Sequence, residues 1–293
     1  MDSKFLQALE SGRTLVLDGA TGTNLQQRGL TRGTPAEVWL MEHPEHILAL
    51  EKDFIAAGSD VILTCTFGGT SIRLAHSGLD GRVEEVNRRA VEIARQAVSA
   101  TDVFVGGSMG PTGQLIQPLG PLSEADVNAA YSEQARILTA AGVDLLVIET
   151  QYDLTEAKVA VQAARSVSSL PLVVSFSYDR GVRTMMGVRP TQMANELAEL
   201  PVDILGINCG RSLDENLKVL IELRAATQKP IWFKPNAGMP RLDDGGNPIY
   251  DVSPEQMGAN VPGWIAEGAR LIGGCCGTSP AHLAAIAKAV KNI

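Results

Sequence analysis

Ala141-Gly142-Val143-Asp144-Leu145-Leu146-Val147-Ile148-Glu149-Thr150 is the stretch on which the fold turns. A glycine just past an amphipathic run marks a helix end, because closing a helix in the left-handed conformation is cheapest for glycine. The short apolar run that follows is the pattern of a strand covered on both faces, and a carboxylate ends it. The same join recurs at Ala57-Gly58-Ser59-Asp60-Val61. Working outward, apolar runs at 14–20, 60–67, 103–110, 145–150, 172–178, 204–210, 231–236 and 270–277 alternate with helical stretches. In the stretch 82–100, Val83, Val86, Ala90, Ile93, Ala94 and Ala97 recur at three- and four-residue spacing and form one apolar stripe. Ser253-Pro254 and Thr278-Ser279-Pro280 read as helix starts. Repeated βα units in this number predict a single α/β domain over residues 1–293, a (βα)8 TIM barrel, with a doubly wound open sheet as the alternative. The irregular segment 238–252, after the seventh strand, reads as a lid or rim loop.

A chain of 293 residues with 45% hydrophobic and 20% charged residues folds around a sizeable core and is not a disordered polymer. Its net charge of −8 and lack of a Lys/Arg run argue against a nucleic-acid partner, which needs a basic footprint. No apolar stretch approaches the roughly 20 residues that span a bilayer. The start, Met1-Asp2-Ser3-Lys4-Phe5, mixes charges. These features predict a cytoplasmic protein with no membrane partner. Four cysteines, two of them adjacent, make a poor disulfide framework and turn attention to metal binding or catalysis.

Barrel chemistry sits at the carboxyl ends of the strands. There the sequence places Asp18-Gly19-Ala20-Thr21-Gly22-Thr23, Thr64-Cys65-Thr66-Phe67, Ser108-Met109-Gly110, Glu149-Thr150, Asn208-Cys209-Gly210, Lys234-Pro235-Asn236 and Gly273-Gly274-Cys275-Cys276-Gly277-Thr278. Strands six and eight are one strand apart around the ring, so Cys209 can meet Cys275 and Cys276 across the mouth. Three thiolates with an open fourth position are the ligand set of a catalytic Zn2+, with Zn–S near about 2.3 Å. Adjacent strand residues point to opposite faces, so the flanking glycines are needed to let the backbone leave strand geometry. Two other readings stay open on the residues alone: a phosphate cradle in the glycine-rich turn, or a buried cysteine with an inert or disulfide-bonded pair beside it.

The motifs Leu17-Asp18-Gly19-Ala20-Thr21-Gly22-Thr23, Gly110-Pro111-Thr112-Gly113, Ile148-Glu149-Thr150, Gly206-Ile207-Asn208-Cys209, Pro235-Asn236-Ala237-Gly238 and Gly273–Thr278 together resemble the homocysteine S-methyltransferase family over essentially the whole chain. The likeness is greatest to the homocysteine-binding module of cobalamin-dependent methionine synthase. The resemblance implies a (βα)8 barrel in which Cys209, Cys275 and Cys276 ligate zinc and Asp18 and Glu149 recognise the homocysteine ammonium. Physical chemistry agrees: paired carboxylates suit a cation, and backbone N–H groups of Gly19, Ala20, Thr21 and Thr23 suit the substrate carboxylate. Asn236 is expected to lend zinc a placeholder oxygen, and Thr66 and Ser108 to bond the substrate or to tie down their own loops. Cys65 stands where many relatives have Asn, and is read as a pocket neighbour rather than a zinc ligand.

A thiol titrates near about 8.5, so coordination is what yields a thiolate at neutral pH. The implied reaction methylates homocysteine to methionine in a zinc-dependent manner. The sequence shows no Asp-x-His-x-x-Gly corrinoid motif, so methylcobalamin is expected to arrive on a separate corrinoid protein. Betaine and S-methylmethionine are the alternative donors, and an aromatic content of 4% argues against a cation–π cage for either. Two different readings are a Schiff-base aldolase using Lys234 and a non-catalytic corrinoid-docking protein.

Overall fold

The structure, a computed structural model, describes residues 3–242 and 248–293. The strands are β1 (Leu15–Val16), β2 (Val61–Leu63), β3 (Phe104–Met109), β4 (Leu145–Gln151), β5 (Leu172–Phe176), β6 (Ile204–Cys209), β7 (Ile231–Pro235), a small hairpin of β8 (Arg241–Leu242) and β9 (Pro248–Ile249), and β10 (Ala269–Ile272). Eight of them form one sheet in the order β1-β10-β7-β6-β5-β4-β3-β2, all parallel. A bridge from Leu17 to Val61 and the Asp60 N–H to the Val16 carbonyl at 2.6 Å bring the two ends of the sheet together. The ring is the expected barrel, and the open-sheet alternative falls.

Side chains alternate along each strand, so every second residue faces the barrel axis. Leu15, Leu17, Val61, Leu63, Leu145, Val147, Val173, Ile204, Trp232 and Leu271 fill that interior as one buried cluster. Phe5 and Leu9 of the N-terminal helix Lys4–Glu10 join it as a plug. A second, larger cluster lies between the strands and the outer helices. The stripe read from 82–100 is the helix Val83–Val98, with its six apolar positions buried. Gly58 and Gly142 adopt φ of +104° and +98° at the two helix-to-strand joins. Ser253 and Ser279 cap helices Pro254–Ala266 and Pro280–Lys291.

The strand ends differ from the expectation. β1, β2 and β10 stop at Val16, Leu63 and Ile272, short of residues 20, 67 and 277. Past those points the chain is polar and glycine-rich, and its N–H groups bond to loops instead of a continuing ladder: Gly274 donates to the Asp18 carbonyl at 3.1 Å and Ala20 to that of Thr278 at 3.4 Å. The site residues of β1 and β10 therefore sit on turns leaving the barrel rim. Of the segment 238–252, read as a lid or rim loop, β8 and β9 pair antiparallel with Leu242 and Ile249 exposed, while residues 243–247 lie outside the described residues.

Gly273 is where β10 presses closest on β1. A Cβ there would lie 2.6 Å from Leu17 Cβ and 2.7 Å from the Asp18 carbonyl oxygen, and neither can swing aside. Gly273→Ala is expected to lower the unfolding free energy by about 2 kcal/mol or more through overpacking, read as a shift in the urea midpoint. An unchanged midpoint would contradict the close approach.

Candidate metal centre

Two residues above the apolar floor, the inward-facing files turn polar. Gly106 is followed by Ser108, Val147 by Glu149, Val173 by Ser175, Gly206 by Asn208 and Trp232 by Lys234. All five polar side chains are buried, so each must find a partner inside the barrel. Period two thus sets both the floor and the reactive layer.

Cys209 closes β6, and Cys275 and Cys276 follow β10. The three Sγ atoms lie within 4.8 Å of one another, with Cys209 and Cys275 in contact at 3.0 Å. The adjacent pair converges because the segment after β10 is bonded to both neighbours in turn. Gly273 N–H goes to the Phe233 carbonyl (3.0 Å), Gly274 to Asp18 (3.1 Å) and Cys275 to Pro235 (2.9 Å), while the Cys276 carbonyl accepts from Ala237 (2.9 Å). Gly277, with φ of +81°, then turns the chain away. All four cysteines are free thiols.

A tetrahedral metal with bonds near about 2.3 Å spaces its sulfurs about 3.8 Å apart, so accommodating it asks Cys209 and Cys275 to part by less than about 1 Å. Asn236 gives its Nδ2 protons to the Gly210 carbonyl at 2.7 Å, but its buried Oδ1 has no partner. The Asn236 backbone N–H bonds the Cys209 carbonyl at 3.2 Å, so the residue with the orphan oxygen adjoins the sulfur group, and three clustered thiols fit a divalent metal. Hydrogen bonds from Cys209 and Cys275 hold the Cys276 thiol well below the ordinary range. Cys209, bonded to both neighbours and buried, is pushed well above it. For Cys275 the lowering bond from Cys209 is outweighed by Cys276 and burial, which push it up to about 12. One thiolate forms readily here, and a cation is what allows three.

Across the mouth, Ser108 donates to Glu149 Oε1 at 2.5 Å. Burial outweighs that bond and the Lys234 ammonium, and pushes the Glu149 carboxyl up to about 7. The register between β4 and β5 shifts between Ile148 and Gln151, and Thr150 sits at φ +60°, so a bulge aims this carboxylate. Asp18 is paired with the buried Lys234 Nζ and accepts from the Leu63 N–H at 2.8 Å. Burial alone would lower the Lys234 pKa, but Asp18 and Glu149 raise it overall. Paired with Asp18 as an ammonium, Lys234 is a counter-ion in this layer, which gives the Schiff-base aldolase reading no support.

Several other expected contacts are already spoken for. The Ala20 N–H bonds Thr278 Oγ1 at 3.2 Å, and the Thr23 hydroxyl accepts from Gly277 N–H at 3.2 Å. That leaves the uncapped start of helix Thr21–Gln27 as the donor end. Thr66 donates to the Ser108 carbonyl at 2.7 Å, so it ties down its loop. Cys65 belongs to the outer core cluster and not to the sulfur group, its thiol pushed far up by burial and by Glu37 and Glu51. Sequence reasoning gave no role to Asn208 or Tyr250. Asn208 was findable as an amide in an inward file, two residues after Gly206 and directly before Cys209. Tyr250 follows the hairpin and hydrogen-bonds Cys276, its ring where a Gly277 Cβ would project, a contact between distant segments that no spacing reveals.

The family profile described as homocysteine S-methyltransferase matches residues 15–290. The chain belongs to the homocysteine S-methyltransferase family. It is 31% identical over its whole length to the methionine synthase of Mycobacterium tuberculosis and spans 26% of that protein. The methionine synthase of Mycobacterium leprae is 30% identical over 99% of the chain, which spans 25% of it. Among solved structures, the metallated form of the homocysteine methyltransferase MmuM from Escherichia coli is 29% identical with a TM-score of 0.82, over 97% of this chain and 99% of that one. The apo form gives 0.77. Among the described residues of this family member, no helix is long and apolar enough to cross a membrane.

Two outcomes follow for this homocysteine S-methyltransferase family chain. Cys209→Ala is expected to lose its metal on dialysis against a mild chelator while the wild type retains about one equivalent, read by elemental analysis; full retention by the variant would contradict the three-sulfur centre. In metal-free protein, folded Glu149 holds a proton between the usual 4.5 and about 7 that the unfolded chain has lost. Stability therefore falls as pH rises through that window, by roughly 3 kcal/mol from this group. Urea unfolding of Glu149→Gln against wild type should show that slope vanish, and parallel pH profiles would refute it.

Proposed function

We propose that the chain is a zinc-dependent S-methyltransferase that methylates homocysteine to methionine, with methylcobalamin on a corrinoid protein as the donor. The observation that carries this is the convergence of the Cys209, Cys275 and Cys276 sulfurs within 4.8 Å of one another. Bound to the three sulfurs, zinc would supply the acidity that strips the thiol proton and holds the acceptor sulfur as a nucleophile.

The chain's own residues do the rest. With zinc bound, Asn236 Oδ1, unpartnered here, would be the residue able to lend a fourth donor in the absence of the acceptor. Glu149, oriented by Ser108, takes the acceptor's ammonium. Asp18 contributes to the same electrostatic end, with Lys234 offsetting its charge so that the empty pocket does not carry two bare carboxylates. The N–H groups opening helix Thr21–Gln27 receive the acceptor's carboxylate. With both ends of the amino acid held, its sulfur is fixed at the mouth, and its lone pair forms the bond to the methyl carbon as the donor's bond to that carbon breaks. A second reading keeps the acceptor and replaces the corrinoid by S-methylmethionine or betaine. It is favoured by the match to MmuM, of which this chain covers 99%.

The test is methionine formation by zinc-loaded protein with homocysteine and four donors in parallel: a methylated corrinoid protein, free methylcobalamin, betaine and S-methylmethionine. The proposal expects product with the corrinoid donors, loss on zinc removal and return on zinc addition. Product only with an onium donor would establish the second reading. No methionine from any donor, or turnover indifferent to zinc, would overturn both.

A further inference from the structure

Asn208 has no solvent exposure, and its one carboxamide makes five hydrogen-bond contacts. Oδ1 accepts from the Thr150 N–H at 2.9 Å and from the Ser175 hydroxyl at 2.7 Å. Nδ2 reaches Thr150 Oγ1 at 2.7 Å, Cys209 Sγ at 3.4 Å and Cys275 Sγ at 3.9 Å. The orientation of the amide is fixed, because a backbone N–H can only donate and so must face the oxygen, which turns the NH2 toward the sulfurs.

Thr150 and Cys209 are the two non-glycine residues with positive φ among the described residues, at +60° and +62°. A side chain with Cβ is strained there and survives only where surrounding contacts enforce it. Asn208 is bonded to both. Thr150 sets the bulge that aims Glu149, and Cys209 is the sulfur furthest in sequence from the other two. One amide thus lies between the end of the pocket that recognises the acceptor's ammonium and the end that holds the metal.

We infer that Asn208 is a positioning residue that locks Thr150 and Cys209 in their left-handed conformations and, with one amide N–H taken by Thr150 Oγ1, shares the other between the metal-bound thiolates of Cys209 and Cys275, setting their donor strength. The inference rests on the three-cysteine metal reading. Donation to a ligand sulfur withdraws electron density from it, and partners of metal ligands typically change affinity by about 10–100-fold when removed.

The probe is Co(II), titrated into metal-free wild type and Asn208→Asp, with circular dichroism as the check on folding. The carboxylate keeps both acceptor contacts of Oδ1 and loses both donors. Expected are at least tenfold weaker Co(II) binding and a shift of the sulfur-to-cobalt charge-transfer band to longer wavelength, which a purely structural role would leave in place. A folded variant with wild-type affinity and band position overturns the inference while leaving the metal site standing. Wild type that shows no such band at one equivalent of cobalt overturns the metal reading and this inference with it. Should Asn208→Asp not fold, wild type labelled with 15N-asparagine and loaded with 113Cd decides. Scalar coupling from the metal to one asparagine side-chain amide supports the donation, and no coupled amide overturns it.

Discussion

The site depends on how the backbone is held just past the last barrel strand. From Gly273 to Cys276 the chain bonds alternately to β7 and to the turn after β1, through Phe233, Asp18, Pro235 and Ala237. A regular strand would send Cys275 and Cys276 to opposite faces. Clamped between two neighbours, both reach the same point as Cys209. That clamp exists only in a closed ring, because its partners come from the first and seventh strands.

In the inward-facing layer above the apolar floor, the buried charges of Asp18, Glu149 and Lys234 have local answers. Lys234 answers Asp18, Ser108 answers Glu149, and the Asn208 amide faces the sulfurs. Burial of isolated charges costs far more than their exposure, so such a layer stands only when it is paired. The backbone strain at Thr150 and Cys209 falls in this layer and nowhere else outside glycine among the described residues. A packed interior transmits little give, which suits a reaction whose rate depends on holding one sulfur in line with one carbon.

Much of this was legible in the sequence. The glycine joins before Val61 and Leu145 and the short apolar runs gave the barrel, because buried parallel strands have few alternatives. The cysteines followed from strand order, since the neighbours of β7 are fixed once the ring is. What could not be read was pairing among buried polar groups. Nothing in the spacing of Asp18 and Lys234, 216 residues apart, shows that the ammonium beside that carboxylate is the protein's own. The Ala20 N–H was expected at the substrate, and Thr66 either there or tying down its own loop; both are bonded within the protein, since a hydroxyl or N–H near a pocket bonds whatever lies nearest. Strand ends were overrun because the polar, glycine-rich residues after β1, β2 and β10 still run along the rim, and their spacing does not mark where their N–H groups turn from the ladder to loop partners.

The central claim is that three sulfurs hold one ion and leave a place for a fourth. X-ray absorption at the zinc edge tests it most directly, on zinc-loaded protein without and with homocysteine. The account predicts three sulfurs and one lighter atom near zinc without the acceptor, and four sulfurs at about 2.3 Å with it. Fewer than three sulfurs at the outset, or a shell that homocysteine leaves unchanged, would contradict it.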